Sequence, residues 1–334
     1  MTSFVQKTIQ RAWRKRNALF YCILTPLSWV FALVSGFRRL AYKHGLLKSY
    51  ALSVPVIIVG NIDTGGNGKT PVVIWLVEQL KKNGMQPGVI SRGYGGHSKQ
   101  PTMVNANSQP NVVGDEPVLI ASHCQCPVWV GKDRVAAGLA LLQAHPACNV
   151  IVSDDGLQHY RLKRTLEIAV VRSDYQHKTA RLLPAGNLRE PVLRLKTVDA
   201  IVFNGQKTVS ALTLHAFQMD LIGKQFYNLA DPSLLATAAY FKRKSIKALA
   251  GIGNPALFFD YLSQLGLNFA GIIFDDHYAY TEQDLAKIDC DVLIMTEKDA
   301  VKCKAFAKPH HWVLPVEAQI DAQLMPFILS KLVK

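Results

Sequence analysis

Val59-Gly60-Asn61-Ile62-Asp63-Thr64-Gly65-Gly66-Asn67-Gly68-Lys69-Thr70 is a glycine-rich turn between the apolar run 54–59 and an amphipathic helix pattern that begins at Pro71. Strand, glycine-rich loop, Lys-Thr and helix in that order read as a nucleotide phosphate cradle. Glycines let the backbone bend so that successive N–H groups face the phosphates. Lys69 reaches the β and γ oxygens, and the Thr70 hydroxyl is placed for Mg²⁺ at the helix N-terminus. Asp63 stands where the strict spacing has glycine, and a carboxylate facing a triphosphate is repelled. Asp63 is therefore expected to turn outward while Gly65 and Gly66 supply the bend.

Outward from this loop the chain alternates short apolar runs with helical patterns. Strands are expected at 87–91, 126–130, 149–153, 166–171 and 200–203, with helices over 71–82 and 133–145. The alternation predicts an α/β fold, a P-loop NTPase-like three-layer α/β/α core built on a parallel sheet. After about residue 205 a second, smaller α/β lobe begins, with strands at 247–250, 269–274 and 291–296. Segments 214–221 and 311–316 are expected to pair as a two-stranded linker between the lobes. The domains are then 1–48, 49–212 and 213–334.

The chain has 334 residues, 49% of them hydrophobic, and a formal net charge of +14, enough apolar content for two cores. Before Asp63 there is no Asp or Glu, but there are Lys7, Arg11, Arg14, Lys15, Arg16, Arg38, Arg39, Lys43 and Lys48. Between those clusters runs the apolar segment Ala18 to Phe37, about long enough to cross a hydrocarbon core. Cations flank it on both sides and Pro26 interrupts it, which argues against a straight span. A monotopic helix, with Trp13, Trp29 and Phe37 among the headgroups and the cations on anionic lipid, accounts for both flanks. The charge alone permits a nucleic-acid arm, but the apolar centre makes a membrane surface the better partner, so no nucleic acid is expected. Six scattered cysteines suit a reducing cytosol, and His123-Cys124-Gln125-Cys126 lacks the spacing and second ligand pair of a zinc site.

In an open parallel sheet, ligands bind at the carboxyl ends of the strands. The strand 149–153 runs into Asp154-Asp155, placing Asp154 to meet Mg²⁺. Asp115 and Glu116 open a helix pattern, and a kinase acting on a hydroxyl needs a carboxylate to accept its proton, for which Asp115 is the candidate. Asp276-His277 follows another strand, where an imidazole can orient that base. Arg92, in Ser91-Arg92-Gly93-Tyr94-Gly95, and Arg189 are placed to neutralise phosphates. Gly251 and Gly253 read as a packing turn.

These motifs, with Gly114-Asp115-Glu116-Pro117, Asp154-Asp155-Gly156-Leu157-Gln158-His159, Pro184-Ala185-Gly186, Leu188-Arg189-Glu190-Pro191, Gly251-Ile252-Gly253-Asn254-Pro255 and Thr296-Glu297-Lys298-Asp299-Ala300-Val301-Lys302, together resemble the tetraacyldisaccharide 4′-kinase family, LpxK. The resemblance implies an ATP- and Mg²⁺-dependent kinase of lipid A biosynthesis. Such an enzyme phosphorylates the 4′-hydroxyl of an acylated glucosamine disaccharide 1-phosphate, a lipid A precursor, to give lipid IVA. It also implies a monomer held peripherally on the cytoplasmic face of a Gram-negative inner membrane. On matching positions it makes Asp115, His277 and Lys69 catalytic. Gly60, Asn61, Gly65, Gly66, Asn67, Gly68, Lys69, Thr70 and Pro71 would hold the nucleotide, and Thr70, Asp154 and Glu116 the metal. Arg92, Tyr94, Asp155, Asn187 and Arg189 would meet the acceptor. The segment 173–180 departs from the glycine-rich family pattern, and Asn187 stands where proline is common. A membrane-associated P-loop NTPase switch acting on a protein partner is the alternative.

Overall fold

A computed structural model describes residues 18–172, 181–205 and 215–332; the basic residues before 18 and the atypical segment 173–180 lie outside this range. In chain order the helices are α1 (Ala18–Lys43), α2 (Lys69–Lys82), α3 (Pro110–Val113), α4 (Asp115–Cys124), α5 (Arg134–Ala144), α6 (Pro255–Gln264), α7 (Glu282–Ala286), α8 (Glu297–Cys303) and α9 (Leu324–Leu332). The first strands are β1 (Val56–Gly60), β2 (Pro87–Ser91), β3 (Thr102–Val104), β4 (Val128–Val130), β5 (Val150–Asp154), β6 (Leu166–Arg172), β7 (Ala200–Asn204) and β8 (Ala216–Ile222). Then come β9 (Phe226–Asn228), β10 (Leu235–Ala236), β11 (Ile246–Ala250), β12 (Ala270–Ile273), β13 (Val292–Thr296), β14 (His311–Leu314) and β15 (Glu317–Ile320). The expected α/β architecture with parallel sheets is present.

The chain divides into two compact units, each made of more than one segment: Met1–Asn67, Asp155–Met219 and Asp321–Lys334 in the first, Gly68–Asp154 and Asp220–Ile320 in the second. This division cuts across the sequence boundary expected near 212.

In the first unit β1, β6, β7 and β8 run parallel, with Gly60 opposite Ala169, Arg172 opposite Asn204 and Asn204 opposite Met219. All five residues of β1 are buried, as a strand covered on both faces requires. α1 docks through Ser28, whose hydroxyl donates to Leu182 O and accepts from Ala185 N, both at 2.9 Å. It also presents large apolar side chains to the outside: Trp29 is 70% exposed, Leu33 75% and Phe37 68%. No helix among the described residues is long and apolar enough to cross a membrane.

In the second unit β5, β2 and β4 are parallel neighbours, and β3 closes the edge antiparallel to β4. α2 buries Val72, Val73, Leu76, Val77 and Leu80, a stripe at helical spacing in which each side chain contributes roughly 1.5–3 kcal/mol. A second sheet runs β10-β9-β14-β13-β11-β12. Its alternate residues feed two cores: Ile246, Ala248, Ile294, Trp312 and Leu314 on one face, Leu249, Leu293, Met295 and Val313 on the other.

The segment expected at 311–316 as a linker strand lies inside this sheet. His311 pairs with Leu293 and Leu314 with Thr296 in parallel, while Trp312 pairs with Asn228 on the other side. All four residues of β14 are buried, which suits an interior strand and not a two-stranded ribbon open to water.

Candidate active site

In the first unit, β1 ends at Gly60, where an added Cβ would lie 2.7 Å from Leu157 Cβ, so only glycine fits. Beyond it the chain folds around Asp63. That side chain does not turn outward: it is 3% exposed, and its Oδ1 accepts from Asn61 Nδ2 at 3.0 Å, Gly65 N at 3.0 Å and Asn67 Nδ2 at 2.9 Å. Three amide donors replace the water that a buried carboxylate gives up, and they fix the bend of the loop around it. The Pro184–Pro191 segment lies along this loop: Thr64 N donates to Asn187 O at 2.9 Å and Arg189 N to Ile62 O at 2.7 Å. Arg189 also pairs with Asp155 at 2.8 Å, so three of the expected acceptor residues, Asp155, Asn187 and Arg189, lie in one neighbourhood.

In the second unit, Gly114, in the left-handed region at φ 91°, turns the chain so that Asp115 opens α4. Asp115 is 4% exposed, and His277 Nδ1 lies 3.0 Å from both of its oxygens. His277 itself has φ 60°, an unusual conformation for a residue with a side chain, held here by its contacts. The Tyr94 ring packs on the imidazole with centroids 4.9 Å apart.

Lys298 completes the group. Its Nζ reaches Glu116 at 3.1 Å, Asp276 at 3.3 Å and His277 Nε2 at 3.4 Å. An ammonium only donates, so Nε2 is the acceptor and Nδ1 carries the proton given to Asp115. Asp276 Oδ2, at 3.7 Å from Nε2, is outside hydrogen-bond distance. Lys302 Nζ lies 3.9 Å from Asp115 Oδ2 and 2.9 Å from Asp299. Burial by itself would raise the Asp115 pKa; the His277 hydrogen bond and the ammonium charges of Lys298 and Lys302 outweigh it and hold the carboxyl at about 2. Burial likewise opposes the Lys298 ammonium, but Glu116, Asp115 and Asp276 raise its pKa well above the usual value.

Both lysines belong to the motif 296–302 and were not among the expected site residues. Their signal is their spacing: four residues apart on α8, they lie on one helical face. Asp299 between them is buried and accepts from Tyr280 Oη at 3.0 Å, Thr296 Oγ1 at 2.7 Å and Gly251 N at 3.1 Å. Gly251 is the expected packing turn, because a Cβ there would collide with Tyr280 Oη.

The remaining candidates of this unit stand at element ends. Gly68, at φ 87°, caps α2, which Lys69, Thr70 and Pro71 open. Asp154 ends β5, is buried, and accepts from Ser91 Oγ at 2.9 Å across the β2–β5 ladder. The Thr70 hydroxyl and the Asp154 carboxylate are hard oxygen donors of the kind Mg²⁺ takes alongside substrate phosphates, so the residues fit that ion. Glu116, the third expected metal residue, has one oxygen accepting from Lys298. Arg92 and Tyr94 follow β2, and Tyr94 is the one that touches His277. His123 meets Glu297 at 2.7 Å, which gives its imidazole a hydrogen-bonded carboxylate partner.

A profile of the family described as LpxK, tetraacyldisaccharide-1-P 4'-kinase, matches residues 20–333. A tetraacyldisaccharide 4'-kinase of Methylobacillus flagellatus is 46% identical over 326 residues, spanning 98% of this chain and 96% of that protein. One from Azoarcus sp. is 47% identical over 322 residues, 96% of this chain and 94% of its own length. Among solved structures, an LpxK from Aquifex aeolicus crystallised in complex with ATP superposes with a TM-score of 0.80 at 29% identity, covering 93% of this chain and 99% of that one. With the profile running almost end to end and relatives near half identical over the same span, this chain belongs to the tetraacyldisaccharide 4'-kinase family.

Proposed function

We propose that this chain transfers the γ-phosphoryl group of ATP to the 4′-hydroxyl of a tetraacylated glucosamine disaccharide 1-phosphate, giving lipid IVA. The observation that carries the reading is the buried carboxylate of Asp115 at the head of α4, with His277 Nδ1 3.0 Å from both of its oxygens and Lys302 Nζ beside it. As the new O–P bond forms, the bond from the γ-phosphorus to the bridging oxygen of ADP breaks, ADP leaves, and the acceptor hydroxyl gives its proton to Asp115. His277, through Nδ1–H, keeps the carboxylate aimed and steadies its charge. The stretch from Gly60 to Pro71 supplies phosphate contacts, Lys69 spreads the γ-phosphoryl charge, and Arg92, Tyr94, Asp155, Asn187 and Arg189 orient the acceptor. Thr70 and Asp154, with Glu116 beside them, would hold Mg²⁺, which neutralises charge on the transferred group when bound.

Incubation with ATP, Mg²⁺ and the acylated disaccharide 1-phosphate tests this, with the new phosphate located by mass spectrometry. The expected product carries it at the 4′ position. ATP hydrolysis independent of any acceptor would instead favour a nucleotide switch.

The acceptor resides in a bilayer, since each buried methylene holds it there by about 0.8 kcal/mol, and we place the chain as a monomer on the cytoplasmic face of the inner membrane. The open apolar surface of α1 supports that placement. Leu33→Asp with Phe37→Asp should abolish flotation with anionic vesicles; flotation that persists removes α1 as the anchor.

A further inference from the structure

At the carboxyl ends of β2 and β4 lies a cavity of about 170 Å³, lined by Arg92, Gly93, Tyr94, Gly95, Gly96, Ser98, Gly131 and Lys132. Ser91 and Val130 are register partners, and Gly131 N donates to Ser91 O at 3.1 Å, so its two walls are tied at the base. Its floor is bare backbone for a physical reason. Gly93 and Gly95 have φ 69° and 80°, and a Cβ on Gly96 would meet Gly114 N at 2.9 Å. The volume is well below the roughly 300–1,000 Å³ of sites that enclose a drug-sized molecule. It suits a single small charged group.

No carboxylate lines the cavity, and Arg92 and Lys132 have neither an ion pair nor a hydrogen bond among the described residues. The cations of the neighbouring site differ: Lys298 and Lys302 are each committed to acidic partners. The cavity borders the Asp115–His277 pair, because Tyr94 forms part of its lining and packs on His277. A ligand filling both places must offer a hydroxyl to Asp115 and an anion to Arg92 and Lys132.

Building on the acceptor reading above, we propose that this cavity is the receptor for the acceptor's own anomeric phosphate, and that Lys132 is a specificity-determining residue for it. Paired with Arg92, Lys132 gives a phosphate monoester charge-assisted hydrogen bonds that a bare hydroxyl at the same carbon does not earn.

The test compares the disaccharide 1-phosphate with the same acylated disaccharide carrying a free 1-hydroxyl, each with the native chain and with Lys132→Ala. Lys132→Ala should raise the KM for the phosphorylated acceptor about tenfold, leave that for the 1-hydroxyl acceptor unchanged, and leave the KM for ATP unchanged. Equal loss on both acceptors, or no loss on either, overturns the subsite while leaving the kinase reading intact. Should the native chain transfer phosphate to neither acceptor, the kinase reading fails, and ³¹P line broadening of the disaccharide 1-phosphate without ATP still decides the subsite. Broadening that Lys132→Glu abolishes supports it; broadening that survives Lys132→Glu refutes it.

Discussion

Two buried aspartates, one in each unit, meet different hydrogen-bond donors. One oxygen of Asp63 accepts from amide N–H groups of its own loop: two asparagine side chains and one backbone nitrogen. Asp115 faces an imidazole and two ammonium groups brought from α8 and from the turn after β12. Amide donors neither gain nor lose protons near neutral pH, so these three bonds to Asp63 hold the loop across that range. A carboxylate backed by an imidazole and neighbouring cations stays ionised although buried, the state a proton acceptor needs.

The contrast predicts different losses on removal. Asp115→Asn should lower turnover by roughly 10²- to 10⁴-fold while the Kd for ATP changes less than threefold. A loss under tenfold removes Asp115 as the base. Asp63→Ala should act on the fold, because Asn61, Asn67 and Gly65 lose their common acceptor. A stability loss of about 3 kcal/mol in urea titration is expected, and unchanged stability would show that water serves those donors equally well.

Lys298→Met sharpens the second half of the comparison. With the donor to Nε2 gone, the His277 proton is free to move between nitrogens. We expect turnover to fall about tenfold, the ¹⁵N shifts of His277 to show mixed tautomers, and Lys298→Arg to restore both. A single unchanged tautomer in Lys298→Met would show that Asp115 alone sets it.

The smallest effect concerns a group whose burial is not offset by any opposite charge. His311 in β14 accepts from Lys308 N at 3.2 Å, and its pKa is pushed from 6.5 down to about 4 by burial, then by His310 and Lys308. Between those values the unfolded chain binds a proton that the folded chain refuses. Stability should therefore be full above pH 6.5 and decline as pH falls toward 4. His311→Leu should flatten that slope, and a slope that persists assigns it to other groups.

Much of this was readable along the chain. The strands at 87–91, 149–153 and 166–171 are apolar runs bounded by turn residues, and the loop at 60–70 declares itself by its glycines and Lys-Thr. Partners were less legible. The run at 311–316 is plainly a strand, but periodicity reports a strand's own faces and not the neighbour it chooses, which is why its place inside the second sheet was missed. Asp63 turns inward despite the repulsion expected from phosphate, because two asparagine amides remote from any periodic pattern fold back upon it. Lys298 escaped notice because it meets Glu116 from 182 positions away.

By itself the sequence determined the α/β class, the glycine-rich loop between strand and helix, the basic apolar beginning and the family, because each is written in local order and residue type. Tertiary structure alone decided which nitrogen of His277 faces Asp115, that Asp63 is interior, and that Arg92 and Lys132 share an anion-sized hollow. Those outcomes depend on distances between groups remote along the chain, and packing sets such distances while local propensity leaves them open.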